Sequence, residues 1–173
     1  MTDAIKRAYA VLAEVTPLTT DCGKVCDGHC CQPSTDSEGM LLFPGEEKWL
    51  VDGDFRLTAA DGGVLLTCDG RCDRRLRPLA CRIFPLFPYV TADGRVRAVY
   101  DPRSFRLCPL TRNCARVPLR RDFVRAVRRA GRILMQDAAC AEFLKNQSRE
   151  IDELNRFLPL ANERPPIARR KLG

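Results

Sequence analysis

Residues 22–31 have the sequence CGKVCDGHCC, and this density of thiols constrains the structure of the whole first half of the chain. The residues around them, from Thr19 to Glu38, are rich in Gly, Asp, Ser and Pro. Such residues favour turns, and they do not sustain a helix or a strand unaided. We therefore predict a loop that needs an additional cross-link to hold its shape.

The length and composition indicate a single small domain. The chain has 173 residues, 10 of them cysteine, and a net charge of +7. We expect one domain over residues 1–160 and a basic, flexible tail over 161–173. The N-terminus does not resemble a signal peptide and no apolar stretch predicts a membrane span, so we expect a cytoplasmic protein. In a reducing compartment, clustered cysteines indicate metal ligands or redox groups.

A second group of cysteines follows downstream. Cys68 and Cys72 precede the segment RPLACRIFP at residues 77–85, and Cys108 comes later. Thiolates select zinc or iron-sulfur clusters, and two loops could close around one such site. The absence of any Cys-x-x-Cys pair argues against a zinc ribbon and a thioredoxin-like redox pair. The candidate metal ligands are Cys22, Cys26, Cys30, Cys31, Cys68, Cys72, Cys81 and Cys108, whereas we expect Cys114 and Cys140 to be packing residues.

The ordered combination of these motifs resembles the CxxCxxCC (YkgJ-like) family of zinc- or iron-chelating domains. The family pattern has spaced cysteines that end in a Cys-Cys pair, an apolar strand leading to Pro and Glu, a further cysteine pair, an RP-x-x-CR-x-FP segment and often a final Cys-Pro. The matching segments here are residues 22–31, 41–46, 68–72, 77–85 and 108–109. The resemblance covers about half of the chain, and it implies a metal-binding protein without implying an enzyme.

The sequence leaves the identity of the metal open but slightly favours an iron-sulfur cluster, such as a 4Fe-4S cluster, over zinc. Adjacent Cys30 and Cys31 point in different directions and fit one tetrahedral zinc poorly. Flagellin lysine methylases resemble longer, distant members of the same family, and that likeness implies iron. No glycine-rich S-adenosylmethionine loop occurs in the sequence, which disfavours a methylase-like activity.

Three further residues lie within these motifs. His29 could be a ligand, a proton relay or a solvated loop residue. Arg77 and Arg82 are expected to offset the charge of nearby thiolates and to donate hydrogen bonds to sulfur. Phe84, Pro85 and Phe87 are expected to form a hydrophobic lid over the site.

The apolar pattern predicts an α+β fold with short β hairpins and a long C-terminal helix. Ile5 to Val15 have helical spacing, with Thr2 as a possible N-cap. We expect one long helix over 119–145, bent at Gly131. The remaining predicted elements are a helix that starts at Pro44 and contains Glu46, Glu47, Trp49 and Leu50, hairpins over 55–58 with 64–67 and over 88–92 with 96–100, and a short helix over 151–158.

The long helix carries a basic face. Its arginines are Arg120, Arg121, Arg125, Arg128, Arg129 and Arg132. An alternative function is therefore an adaptor that is held together by metal and binds nucleic acid or an acidic protein through this helix. Aromatic residues for base stacking are not interleaved with the arginines, which favours a solvated face instead.

Overall fold

A computed structural model describes residues 1–31, 39–50, 55–68, 74–111 and 117–157, and it confirms the predicted α+β class, with 46% helix and 18% strand. The elements in chain order are α1 Asp3–Val11, α2 Cys22–Val25, a 3-10 turn His29–Cys31, β1 Met40–Leu41, β2 Phe55–Ala60, β3 Gly63–Cys68, a 3-10 turn Arg74–Leu76, α3 Leu79–Ile83, β4 Leu86–Val90, β5 Val96–Tyr100, α4 Ser104–Leu107, α5 Arg121–Leu134 and α6 Ala138–Phe157. None of the helices in these ranges is long and apolar enough to cross a membrane. The predicted tail over 161–173 lies outside the described residues.

The first helix begins where the sequence predicts but ends earlier. The Thr2 hydroxyl accepts a hydrogen bond from the Ile5 amide at 3.4 Å, which makes Thr2 the N-cap. The helix ends at Val11, so the prediction that it reaches Val15 is wrong. The Arg74 guanidinium donates hydrogen bonds to the carbonyls of Ala13, at 3.3 Å, and Val15, at 2.7 Å. The carbonyls of Ala13 and Val15 are thus satisfied by the Arg74 side chain, so they do not need hydrogen bonds from a continued helix.

The first predicted hairpin is present and belongs to a three-stranded antiparallel sheet. Strands β2 and β3 pair from Phe55 with Cys68 to Ala60 with Gly63, so the connecting turn has only two residues. The second of these, Gly62, has a φ of 87°, which glycine adopts readily. Met40 and Leu41 pair with the other edge of β3. Leu41 begins the segment that the family resemblance matches to an apolar strand.

The second predicted hairpin is also present, two residues earlier in its first strand. Strands β4 and β5 pair from Leu86 with Tyr100 to Val90 with Val96. Gly94 has a φ of 77° in the turn between them. Among the described residues this sheet has two strands, so Pro88 lies on an edge strand, where a missing backbone N–H is tolerated.

The prediction of one long helix over 119–145 is wrong, because the chain forms two helices. Helix α5 ends at Leu134 and α6 begins at Ala138. The Asp137 carboxylate accepts a hydrogen bond from the Cys140 amide at 3.0 Å, as an N-cap does. The predicted short helix over 151–158 is the end of α6.

Gly131 lies within α5, and its role is close packing. A Cβ atom at this position would lie 2.4 Å from the Cβ of Pro88 and 2.8 Å from Cγ1 of Val96. The missing side chain therefore lets α5 lie directly against the β4–β5 hairpin. The break between the helices falls at residues 135–137 and not at the predicted bend.

The main apolar core joins α1, α5 and α6 with the β4–β5 hairpin. Its fully buried side chains include Ile5, Leu12, Phe123, Leu134 and Leu144. A second, smaller cluster has three buried leucines, Leu42, Leu50 and Leu66. The cysteine-bearing segments adjoin both clusters, with Cys22 and Cys30 packed against the first and Cys68 against the second.

Candidate functional site

The predicted ligands occupy several short elements of the first two thirds of the chain. The segment predicted as a loop around residues 22–31 contains two short helical turns of four and three residues. The prediction that it needs a cross-link to hold its shape stays a prediction. Cys22 begins α2, Cys26 is its C-cap, and Cys30 and Cys31 lie in the following 3-10 turn. Cys68 ends β3, Cys81 lies in α3 and Cys108 follows α4; none of these cysteines forms a disulfide. Cys72 and Cys114 lie outside the described residues.

Three thiols from distant parts of the sequence lie near one another. Burial raises the pKa of Cys22 to about 11, and the neighbouring Asp21, Cys26 and Cys108 act in the same direction. Burial also raises the pKa of Cys108, and Cys26 contributes to this shift. Electrostatic interactions thus connect Cys22 and Cys26 of the first cluster with Cys108. In the same segment, the sulfur atoms of Cys30 and Cys31 are 4.0 Å apart.

The other predicted ligands have different surroundings. Cys68 packs at the edge of the small leucine cluster, and Cys81 lies near Tyr9. Among the residues that the structure describes, no three His, Cys, Asp or Glu side chains are arranged to hold one metal ion. In this arrangement the described thiols, including Cys22, Cys26 and Cys108, are therefore not positioned as a complete set of ligands for one metal ion. His29 is half-buried in the 3-10 turn, and its role as a ligand stays a prediction.

Asp21 connects the first cysteine cluster to the RP-x-x-CR segment. Its carboxylate accepts hydrogen bonds from the Gly23 amide at 3.2 Å, which caps α2, and from the Arg77 guanidinium at 2.9 Å. Burial alone would raise the pKa of Asp21, but the hydrogen bond and charge of Arg77 outweigh it and lower that pKa. The Arg77 charge also acts to lower the pKa of Cys22. Arg77 therefore lies where a cation beside the thiols was predicted.

Arg82 has a different role from the one predicted for it. It is 8% exposed, and its guanidinium donates hydrogen bonds to the carbonyls of Arg77 at 2.8 Å and of Arg74 and Arg75 at 3.0 Å. The same guanidinium lies over the Tyr9 ring, 4.8 Å from its centre. These hydrogen bonds go to backbone carbonyls and not to sulfur. Arg82 thus fixes the backbone that carries Arg77.

Glu46 is the principal residue that the sequence analysis assigned wrongly. Residues 44–50 form turns and not the helix predicted from Pro44. The Glu46 side chain is fully buried, and it accepts hydrogen bonds from the Tyr9 hydroxyl at 2.5 Å, the Phe43 amide at 2.8 Å and the Leu79 amide at 2.9 Å. A carboxylate that satisfies these buried donors holds the chain in a turn. The Pro-Gly-Glu sequence after an apolar run is the signal that could have indicated it.

Glu46 connects three parts of the chain by hydrogen bonds, and one of its partners, Leu79, lies two residues before Cys81. Tyr9 lies on α1, Phe43 follows β1, and Leu79 begins α3. Burial raises the pKa of Glu46, although its hydrogen bonds and the charge of Arg82 oppose the shift. Burial, together with the charge of Glu46, also raises the pKa of Tyr9. The carboxyl group therefore fixes the position of the helix that carries Cys81.

Phe84 and Phe87 were predicted, with Pro85, to form a lid over the site, and that role stays a prediction. Both are buried in the main core, at 8% and 5% exposure. They line a cleft of about 300 Å³ whose described lining contains no cysteine. Arg103 lies at the same cleft and makes two hydrogen bonds of 2.8 Å to the Asp101 carboxylate. None of the candidate metal ligands is therefore among the described residues that line this cleft.

The arginines predicted as a basic face lie along α5. Arg120 precedes the helix and forms an ion pair with Asp122, with its Nε donating to Oδ1 at 2.9 Å. The exposed members on the helix itself are Arg121, Arg125, Arg128, Arg129 and Arg132. Two of them, Arg128 and Arg132, line a groove of about 450 Å³ together with residues of the β4–β5 hairpin.

Searches with this chain found no matching family model, no matching curated protein and no matching solved structure. The resemblance to the CxxCxxCC (YkgJ-like) family thus stays a prediction based on the motifs.

Proposed function

We propose that this chain is a metal-binding protein that holds an iron-sulfur cluster, or alternatively zinc, through its clustered cysteines. The proximity of Cys22, Cys26 and Cys108 is the observation that supports the proposal most strongly. Two of these thiols come from the first cluster and one comes from far along the chain. Their positions match the two ends of the segment that resembles the CxxCxxCC (YkgJ-like) family.

The chemistry of this set of donors fits a bound metal. Clustered and partly buried thiols bind protons tightly, because each thiolate would repel the next and lose its hydration. A soft cation favours the thiolate form and replaces those protons on binding. Arg77 adds a positive charge beside Cys22. The full pool of candidate ligands remains Cys22, Cys26, Cys30, Cys31, Cys68, Cys72, Cys81 and Cys108.

The metal would have a structural role as well as a chemical one. A closed iron-sulfur site would supply electron transfer, whereas a closed zinc site would supply cross-linking alone. The cysteine-bearing elements are short: α2 has four residues and the next turn has three. Isolated helices of this length are unstable in water. Metal binding would therefore contribute part of the folding free energy of this region.

The test is the amount of metal and acid-labile sulfide per chain, together with a visible spectrum, on untagged protein purified without oxygen. We expect iron and sulfide in equal amounts. Cys22→Ala and Cys108→Ala should lower the metal content. Cys140→Ala is the matched control, because Cys140 is fully buried on α6, where burial raises its pKa to about 12.

Stoichiometric zinc without sulfide would keep the metal-binding proposal and replace iron by zinc. A chain without stoichiometric metal would contradict the proposal. So would an equal loss of metal in Cys22→Ala, Cys108→Ala and Cys140→Ala, since Cys140 is not among the proposed ligands.

A further inference from the structure

Arginines from two separate elements converge on one groove. The groove is lined by Arg128, Arg132 and Met135 at the C-terminal end of α5 and by Gly94, Arg95, Val96 and Arg97 of the β4–β5 hairpin. We call these seven residues the arginine groove. The sequence analysis noted the arginines on the helix but did not connect them with Arg95 and Arg97. The structure brings them together because Gly131 lets the hairpin lie close to α5.

The positive charge of the groove is largely uncompensated. Arg95 forms an ion pair with Asp93 at 2.5 Å. No carboxylate of the described residues forms an ion pair with Arg97, Arg128 or Arg132, and all three are exposed. Like charges that converge without acidic partners repel one another, so an anion that enters the groove would relieve this repulsion.

The charge also continues beyond the groove along the helix. Arg121, Arg125, Arg128 and Arg132 follow one another at intervals of three or four residues, which places them on one face of α5. At 1.5 Å per residue this row is about 16 Å long. A single small anion would engage only part of it, whereas an extended ligand with repeated charges would engage all of it.

We propose that the arginine groove and the row of arginines leading to it bind the phosphodiester backbone of a nucleic acid. Guanidinium groups form paired hydrogen bonds to phosphate, and all the cations in the groove are arginines rather than lysines. Backbone phosphates supply closely and regularly spaced charges that do not depend on sequence. The absence of aromatic residues from the described lining predicts binding without base stacking and thus without sequence preference.

This inference does not depend on the metal. The described lining of the groove contains no cysteine, and none of these lining residues is a candidate metal ligand. Loss of metal binding in cysteine variants and loss of nucleic-acid binding in arginine variants are therefore separate results. Each can fail while the other holds.

The test is fluorescence anisotropy with labelled 20-nucleotide single-stranded RNA, single-stranded DNA and duplex DNA over a range of salt concentrations. The triple variant Arg97→Gln, Arg128→Gln, Arg132→Gln should bind about tenfold or more weakly, and the slope of log K against log salt should decrease by about 2 for single strands. The single variant Arg97→Gln should also weaken binding, because it tests the hairpin apart from the helix. Comparison of the three ligands shows which form of the backbone fits best.

The matched control removes the same charge from another helix. Lys145, Arg149 and Arg156 are exposed on α6 and do not line the groove. The triple variant with glutamine at these positions should keep most of the affinity and the salt slope. Thermal melts followed by circular dichroism should show that both triple variants are folded.

Three results would overturn the proposal. The first is no binding of any of the three ligands at low salt. The second is an equal loss of affinity in the groove variant and the α6 control, which would indicate net charge alone. The third is tighter binding of polyglutamate of similar length than of any nucleic acid, which would indicate an acidic protein as the partner instead.

Discussion

Two regions of this molecule are stabilised in different ways. In the helical region, α1, α5, α6 and the β4–β5 hairpin share a continuous apolar core. In the cysteine-bearing region, residues 21–31, 39–50, 55–68 and 74–83, short elements are joined by buried polar groups such as Glu46 and Arg82 and by a small leucine cluster. A few of its side chains, such as Phe43 and Leu79, also reach the main core. Apolar packing is the main contribution in the first region. The second depends on a few specific polar contacts and, as we propose, on a metal.

Removal of the same side chain from the two apolar clusters gives the largest expected effect. Leu144→Ala empties a fully buried site in the main core, and Leu66→Ala, at 2% exposure, does so in the small cluster. Each should lower the free energy of unfolding by about 2–5 kcal/mol, with Leu144 near the upper end and Leu66 near the lower end. The reason is that the small cluster has partly exposed neighbours that can move into the gap. Urea denaturation measures both values, and an equal or larger loss for Leu66→Ala would remove the difference between the regions.

A side chain at Gly131 should disturb the helical region by overpacking. In Gly131→Ala the new Cβ meets Pro88 and Val96 at distances that require the hairpin to shift. We expect a loss of about 1–3 kcal/mol despite the better helix propensity of alanine. Arg125→Ala, at an exposed position of the same helix, is the control and should change stability by less than about 0.5 kcal/mol. A stabilised Gly131→Ala protein would show that the contact is looser than described.

Substitution of Tyr9, which donates a hydrogen bond to Glu46, tests how much the buried polar contacts stabilise the cysteine-bearing region. Tyr9→Phe removes the hydroxyl donor and leaves the two amide donors from Phe43 and Leu79. We expect a loss of about 1–2 kcal/mol in denaturation experiments, because one buried hydrogen bond to a carboxyl group is lost. Tyr89→Phe is the control, since its exposed hydroxyl contacts Asp152 at the surface. Equal effects of the two variants would contradict a special role for the buried pair.

The pH dependence of stability gives a smaller and more specific test of Glu46. Its folded pKa is raised from 4.5 by burial, so its stabilising contribution is present below about pH 4.5 and decreases as the pH rises through the folded pKa. The stability of the natural protein relative to Glu46→Gln should therefore decrease as the pH rises above about 4.5, by about 1.4 kcal/mol for each unit of pKa shift.

The titratable groups that face this carboxyl, namely Tyr9, Arg82 and Cys140, are present in both the natural protein and Glu46→Gln. Asp21, whose lowered pKa also makes stability depend on pH, is likewise present in both. Subtraction of the two stability curves therefore isolates Glu46. A difference that is independent of pH, or that increases with pH, would contradict the raised pKa.

Local sequence signals predicted elements in both regions, but not the point where the long helix divides or the distant contacts of the cysteine-bearing region. The Thr2 cap, both hairpins and the basic face of α5 depend on neighbours that are close in sequence, and all are present in the structure. The division of the predicted long helix was missed because an Asp137 cap replaces the usual glycine or proline signal. Both helices remain amphipathic on either side of this position, so the apolar pattern does not mark it.

The role of Glu46 could not be read from the sequence because its partners are distant. Tyr9 and Leu79 approach it only after α1 and α3 pack together. The same reason applies to Cys108, which the sequence placed in a pool of candidates and the structure places near Cys22 and Cys26. The spacing of the cysteines predicts the donor atoms, and tertiary packing decides which of them meet.

Hydrogen exchange, with and without removal of metal by a chelator, tests the difference between the two regions most directly. Metal analysis of the same samples confirms the removal. We predict that the amides of residues 22–31, of β3 and of residues 74–83 lose protection, while α5 and α6 keep theirs. Unchanged protection in the cysteine-bearing region after complete loss of metal, or earlier loss in α5 and α6, would contradict the account.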